Sequence, residues 1–222
     1  MINESINKLS LIQEDIKNLN SNNLLTPEII CVSKTFSMEK LRPLIDHGHI
    51  HFGENKVQEA EKKWTTIKAQ NSNLQLHMIG KLQSNKAKKA VRLFDYIHSL
   101  DNSKLADVLK KSEAELNRKL SYFIQVNIGD EDQKSGISSK NIKDFFLYCT
   151  NETRLNIIGL MVIPPNDQNV EKYFEQVSNL NSSLGLKHLS MGMSSDYKIA
   201  MKFKTTYLRI GSAILGQRNV SE

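Results

Sequence analysis

With 222 residues, 39% of them apolar and 24% charged, and a formal net charge of +6, the chain can build one sizeable core. A (β/α)8 barrel fits that length at the short end of its usual range, whereas two small domains would be cramped. No apolar run approaches the roughly 20 residues of a membrane span, no secretory leader is legible in Met1-Ile2-Asn3-Glu4-Ser5, and Cys31 and Cys149 make neither a disulfide framework nor a CxxC pair.

The expectation is one cytoplasmic domain over residues 1–222 with both thiols reduced in the core. Ile2, Ile6, Leu9, Ile16 and Leu19 recur at helical spacing, which predicts an amphipathic helix over 3–20 in a leading segment 1–20. Short apolar runs and helical patterns then take turns over 29–216. The first run, 29–34, is Ile29-Ile30-Cys31-Val32-Ser33-Lys34, followed by a helix signal at Ser37 and by Pro43, which is expected to kink or shorten that helix. Strands at 50–54, 75–79 and 95–99 come next. Between them lie a helix at 55–69 carrying Val57, Ala60, Trp64 and Ile67, and one beginning at Asn85-Lys86 behind the N-cap Ser84. Asp101 caps a helix over 102–117, strand 121–128 follows, and the helix 139–150 presents Ile142, Phe145, Phe146 and Cys149. Strand 157–163, a helix 169–184 between the N-cap Asp167 and the C-cap Gly185, and strands 188–191 and 207–210 complete the series.

Strand alternating with helix implies a parallel sheet, because parallel neighbours need a crossover connection. Eight such strands predict a closed (β/α)8 barrel of the TIM type with an extra N-terminal helix. An open doubly wound sheet is the weaker reading, since no G-x-G-x-x-G follows the first strand. The run from Gly211 to Gly216 has the glycine spacing of a P-loop but lacks its Lys and Ser/Thr and follows the last strand, which excludes a nucleoside triphosphatase. The basic run Lys81, Lys86, Lys88, Lys89 and Arg92 has no interleaved aromatics, so a solvated helix face is preferred to a nucleic-acid surface.

In a barrel the functional mouth lies at the carboxyl ends of the strands. Lys34 ends the first, Gly53-Glu54-Asn55 the second and Gly80 the third; the seventh runs into Gly192-Met193-Ser194-Ser195 and the eighth into Arg209-Ile210-Gly211-Ser212. An ammonium at the edge of an apolar core loses hydration, which favours the neutral, nucleophilic amine that Schiff-base chemistry requires. Tyr207, Arg209 and Gly211 share one strand face, and an inward guanidinium needs an acceptor such as a ring nitrogen. Ser194, Ser195, Gly211 and Ser212 suit a phosphate cradle at the loops after the last two strands. Together with Asn55 at the mouth, these groups describe a phosphorylated aldehyde held as an imine, as pyridoxal 5'-phosphate is.

Several stretches carry a resemblance: Val32-Ser33-Lys34-Thr35, Phe52-Gly53-Glu54-Asn55-Lys56-Val57-Gln58-Glu59, His77-Met78-Ile79-Gly80-Lys81-Leu82-Gln83-Ser84-Asn85-Lys86, Lys134-Ser135-Gly136, Gly159-Leu160-Met161, Leu189-Ser190-Met191-Gly192-Met193-Ser194 and Arg209-Ile210-Gly211-Ser212-Ala213-Ile214-Leu215-Gly216. In these the sequence resembles the pyridoxal phosphate homeostasis proteins, which look like the barrel domain of alanine racemase standing alone. The resemblance implies a fold type III barrel in which Lys34 carries the cofactor as a Schiff base, Arg209 faces the pyridine nitrogen, and Ser194, Gly211 and Ser212 hold the phosphate. Departures from the family pattern are Lys56 in place of an aromatic, Ser195, Ser212, and Lys202-Phe203-Lys204 in place of a glycine-containing turn.

Racemisation needs acid/base groups on both faces of the substrate, which alanine racemase completes with a second domain and partner subunit; the end of this chain at Glu222 leaves no room for that domain. A cationic Arg209 at the ring nitrogen also weakens the ring as an electron sink. The expectation is therefore a monomeric cytoplasmic carrier and buffer of pyridoxal 5'-phosphate with no catalytic residue, apoenzymes that use the cofactor being its recipients. A weak amino-acid racemase is the alternative at the same site, and an RNA-binding module using the basic run is a third, unrelated reading.

Overall fold

In the computed structural model, which describes residues 3–20, 26–129, 135–167 and 169–217, Asn3 opens the chain by accepting the Ser5 N–H at 2.9 Å. The helix it caps, α1 (Glu4–Leu19), buries Leu9, Ile12 and Ile16. There follow β1 (Glu28–Val32), α2 (Met38–Asp46), β2 (His51–Glu54), α3 (Val57–Gln70) and β3 (Gln75–Met78). A 3₁₀ turn at Ser84–Lys86 leads into α4 (Ala87–Leu93), then β4 (Tyr96–Leu100), α5 (Ser103–Leu116) and β5 (Ser121–Asn127). Next come the two-residue β6 (Ile137–Ser138), α6 (Ile142–Leu147) extended by a π turn at Tyr148–Glu152, and β7 (Ile157–Val162). The chain closes with α7 (Val170–Ser183), β8 (His188–Met193), α8 (Tyr197–Met201), β9 (Tyr207–Ile210) and α9 (Ser212–Leu215).

Among the described residues every strand pair is parallel, and eight strands close on themselves in the order β1-β2-β3-β4-β5-β7-β8-β9, with β9 returning to β1. The expected (β/α)8 barrel is therefore present. β6 adds itself to Val126 and Asn127, taking over from β4 at the carboxyl end of β5. Most apolar burial lies between barrel and helices, including Trp64, Phe52, Leu105 and Phe174. A smaller cluster of Ile30, Phe123, Met161 and Tyr207 fills the barrel itself, flanked by Tyr96 and Ile158. Histidines share that interior: His77 stacks on Tyr96 and His98 on Phe123, each at 4.3 Å between ring centroids.

Several local expectations change. β1 stops at Val32, so Lys34 sits in the turn beyond the strand rather than on its last position. Asn102, not Asp101, caps α5, accepting the Leu105 N–H at 2.8 Å. Asp167 instead accepts the Asn169 N–H at 2.7 Å one step before α7, and Ser84 opens a 3₁₀ turn without a side-chain cap. The helix expected over 139–150 is shorter in its α part, because Thr150 and Thr153 bond back to the carbonyls of Phe146 and Cys149 and loosen the last turns. Pro43 lies within α2, which continues to Asp46. Lys204, where a glycine-containing turn is usual, takes a left-handed φ of 57° that glycine adopts without steric cost. Both cysteines are buried and free, and burial pushes the Cys149 thiol up to about 12.

Phe123 joins the inner apolar cluster to the His98 ring, so Phe123→Ala is expected to lower stability by about 3–5 kcal/mol, measured by urea unfolding.

Candidate functional site

At the carboxyl ends of the strands lies a cavity of about 340 Å³, and all seven candidate residues line it: Lys34, Asn55, Ser194, Ser195, Arg209, Gly211 and Ser212. Its apolar wall comes from Val32, Phe36, Ile79 and Ile163.

Lys34 is half-buried and is positioned from both sides. Before it, the Ser33 hydroxyl donates to Glu54 Oε1 at 2.7 Å, while the Ser33 N–H donates to the Gly53 carbonyl at 2.9 Å. Glu54 is fully buried, and the same Oε1 accepts from Lys63 Nζ at 2.8 Å and Trp64 Nε1 at 2.9 Å. Lys63 also donates to the Ser33 carbonyl at 2.8 Å. The other carboxylate oxygen, Oε2, is buried without a hydrogen-bond partner. After Lys34, Thr35 holds φ at 68°, a region that strains a β-branched residue, and its hydroxyl donates to the Lys34 carbonyl at 2.6 Å. The turn bearing the lysine is thus fixed by a buried ion pair on one side and a strained residue on the other.

Asn55 follows Glu54 and faces the third strand end. A Cβ on Gly80 would lie 2.4 Å from the Asn55 carbonyl oxygen, so only glycine lets the two segments approach this closely. Across the cavity, Ser194 Oγ accepts the N–H groups of Gly211 and Ala213, both at 3.3 Å, so two backbone donors converge on one point. Asp196 Oδ1 accepts the Met193 N–H at 2.5 Å and shapes this loop, and burial raises its carboxyl above the ordinary range. Ser195 and Ser212 are exposed on the rim.

Arg209 is 4% exposed, and its fork donates to Ser190 O at 2.6 Å, Ser190 Oγ at 2.7 Å and Val162 O at 2.7 Å. Burial pushes its guanidinium down to about 10, against the pull of Asp196, so it remains a cation at neutral pH. Below it Ser190 meets His98, His98 meets His77, and His77 meets His51. Burial holds all three rings below the usual histidine range, reinforced at His98 by Arg209 and at His77 by His98. They are strung along the barrel rather than gathered round a point. Among the described residues no group of three or more His, Cys, Asp and Glu side chains suits a metal ion.

The family model for the N-terminal domain of alanine racemase matches residues 8–219. A pyridoxal phosphate homeostasis protein of Aquifex aeolicus is 36% identical over 200 residues, covering 86% of this chain and 87% of its own. One from Haemophilus influenzae is 35% identical over 226 residues, covering 96% and 95%. The chain belongs to the pyridoxal phosphate homeostasis protein family. Among solved structures, PipY of Synechococcus elongatus PCC7942 with PLP bound matches at a TM-score of 0.81 and 33% identity, covering 92% of this chain and 100% of its own.

Two sets of contacts beside this cavity are not legible in motifs, although Glu54, His77 and Ser190 stand within the stretches that carry the resemblance: the Glu54, Lys63 and Trp64 cluster, and the line of His51, His77, His98 and Ser190. The signal for the second was present, since a histidine stands inside each of three successive apolar strands. As for the basic run, Lys88 pairs with Glu115 at 2.8 Å and Lys89 with Glu61 at 2.9 Å, which partly neutralises it. Among the described residues no helix is long and apolar enough to cross a membrane.

Lys63→Met leaves the Glu54 carboxylate buried without its cation and is expected to cost about 3–5 kcal/mol in urea unfolding. Adding Glu54→Gln should recover much of that loss. A second outcome concerns pH. Unfolded histidines titrate near 6.5 and these native rings lie lower, so below about pH 6.5 the unfolded state binds more protons. Stability should therefore be level above that point and fall as pH drops, by up to about 1.4 kcal/mol per pH unit for each ring until the native rings protonate. Urea midpoints at pH 8, 6.5 and 5 measure it.

Proposed function

We propose that this protein binds pyridoxal 5'-phosphate in the cavity at the barrel mouth, covalently through Lys34, and keeps it in reserve for exchange with amines and recipient apoenzymes in the cytoplasm. The observation that carries the reading is the convergence of a lysine, an inward guanidinium and a pair of backbone N–H donors on one cavity of about 340 Å³. Relatives named for pyridoxal phosphate homeostasis, and PipY solved with PLP bound, support it.

The residues fit the group. Ser194 Oγ occupies the convergence of the Gly211 and Ala213 N–H groups, and a Cβ on Gly211 would come within 3.3 Å of Val32 Cβ, narrowing the space a phosphate needs. When bound, the cofactor supplies an aldehyde that condenses reversibly with amines and a ring that withdraws electrons. Lys34 supplies the amine. Arg209 presents N–H donors to a ring nitrogen and, as a permanent cation, holds that nitrogen unprotonated. Phe36 and Ile79 limit water on the apolar side.

Holding rather than turnover is favoured by the composition of the lining. Among the described residues of the cavity wall, Lys34 and Arg209 are the only titratable side chains, and Arg209 does not exchange its proton at neutral pH. Among the described lining residues Lys34 therefore faces no second group that titrates near neutrality and could serve the opposite face of a substrate.

Borohydride treatment of the loaded protein should attach the cofactor to a peptide containing Lys34, and Lys34→Ala should abolish the adduct; an adduct on another lysine with Lys34→Ala unchanged contradicts the assignment. Charge-assisted hydrogen bonds contribute roughly 1.5–3 kcal/mol each, so pyridoxal lacking its phosphate should bind at least about tenfold more weakly in a fluorescence titration. L-alanine in deuterated water should give D-alanine far more slowly than on the order of 1 per second, followed by chiral chromatography. Turnover at that rate favours a racemase.

A further inference from the structure

The line of histidines beneath Arg209 has a direction that its two ends determine. His51 Nδ1 lies 2.9 Å from His77 Nε2, His77 Nδ1 lies 2.9 Å from His98 Nε2, and His98 Nδ1 lies 2.8 Å from Ser190 Oγ. Each contact needs one proton and one lone pair, and two opposite proton orders satisfy all three. At the upper end Arg209 donates to Ser190 Oγ at 2.7 Å. A guanidinium has no lone pair to offer, and among the described contacts of Ser190 Oγ the one acceptor left for its own proton is His98 Nδ1. His98 then carries its proton on Nε2 and donates to His77 Nδ1, and His77 donates from Nε2 to His51 Nδ1. At the lower end His51 Nε2–H faces Glu28 Oε2 at 3.4 Å. The opposite order would leave the Ser190 proton without an acceptor at its guanidinium and turn a histidine lone pair toward a carboxylate.

We propose that His51, His77, His98 and Ser190 form a one-directional hydrogen-bond relay that positions Arg209 and couples it to Glu28 at the far mouth of the barrel. All three rings are neutral Nε2–H tautomers. Their lone pairs point toward the buried cation and their N–H groups toward the carboxylate, so each ring dipole stabilises both ends. Chains of hydrogen bonds strengthen one another in a low-dielectric interior. The burial that keeps His77 and His98 uncharged suits this arrangement. Stacking of Tyr96 on His77 and Phe123 on His98, each at 4.3 Å, holds the rings in the planes that the contacts require. The lower end is open to its surroundings: Glu28 is 57% exposed and, with His47, His49 and His51, lines a second cavity of about 340 Å³.

These four are positioning residues, acting on a bound ring only through Arg209. The relay itself belongs to the protein; its consequence for a ligand rests on the cofactor reading above. The test is nitrogen-15 NMR of the histidine-labelled, ligand-free full chain at pH 7. His51, His77 and His98 should each show a protonated Nε2 and an unprotonated Nδ1. Glu28→Leu, a surface change outside the cofactor cavity, should shift the ring nitrogens of all three, His98 included, and Ser190→Ala should release the order from the upper end. A ring found as the Nδ1–H tautomer, or a Glu28→Leu response confined to His51, overturns the relay. With pyridoxal 5'-phosphate added, Glu28→Leu should displace the visible absorption band. An unmoved band in a protein that binds the cofactor overturns the coupling, whereas a correct tautomer set in a protein that binds no cofactor overturns the cofactor reading alone.

Discussion

A cation inside a barrel has to be solvated by the protein, and most of the interior of this molecule follows from how Arg209 is solvated. Bringing a charge out of water costs several kcal/mol even after relaxation, and it is tolerated where hydrogen bonds replace those to water. Among the described residues no carboxylate hydrogen-bonds the guanidinium. Two carbonyls and the Ser190 hydroxyl accept from it instead, and Asp196 acts from a distance. A neutral acceptor set leaves the positive potential at the cavity uncancelled, which suits an anionic phosphorylated ligand. It also dictates the neighbours. A serine hydroxyl that accepts from the arginine must donate elsewhere, and the histidines that continue the line must be neutral. The polar interior of β2, β3, β4 and β8 is therefore one connected requirement rather than four separate choices.

The lysine is held by a different device. Glu54 and Lys63 form a buried pair on the turn bearing Lys34, with Trp64 and Ser33 completing the acceptor's shell. Such a pair contributes little net stability compared with apolar residues of the same volume, and its use here is geometric. It ties both the hydroxyl and the carbonyl of Ser33, so the backbone entering Lys34 cannot slide, while Thr35 absorbs the strain on leaving. The backbone on both sides of Lys34 is thereby fixed, and on the proposed reading its side chain serves as the amine that attaches to and releases a ligand.

The barrel was legible because period-two and period-3.6 patterns alternate along the chain, and each of the eight predicted strands overlaps an observed one. β6 was not, since two residues carry no periodicity; it depends on Gly136 at a φ of 123° beside Asn127. Helix caps were read one residue astray where two polar residues adjoin, as at Asp101-Asn102, because either side chain satisfies the rule and only the backbone selects. At the mouth, the glycines, serines and lysine expected at the strand ends fall on one cavity. The relay escaped notice for a physical reason: a lone buried histidine is usually a core residue, and only the closed barrel brings β2, β3, β4 and β8 into one line.

The same geometry bears on the proposal that a barrel of the alanine racemase N-terminal family holds a cofactor rather than turning over a substrate. Proton transfer at a substrate carbon needs groups that gain and lose protons near neutrality, placed on both sides of the reacting atom. In this molecule the neutral, protonatable rings lie below Arg209, sealed from the cavity by the guanidinium and engaged with one another. Above it, among the described lining residues, only Lys34 can exchange a proton. Among the described residues the fold thus keeps its histidines out of the cavity lining, where an amine, a fixed cation and two converging backbone N–H groups remain; on the proposed reading these suffice to bind a reactive aldehyde and to give it up to another amine.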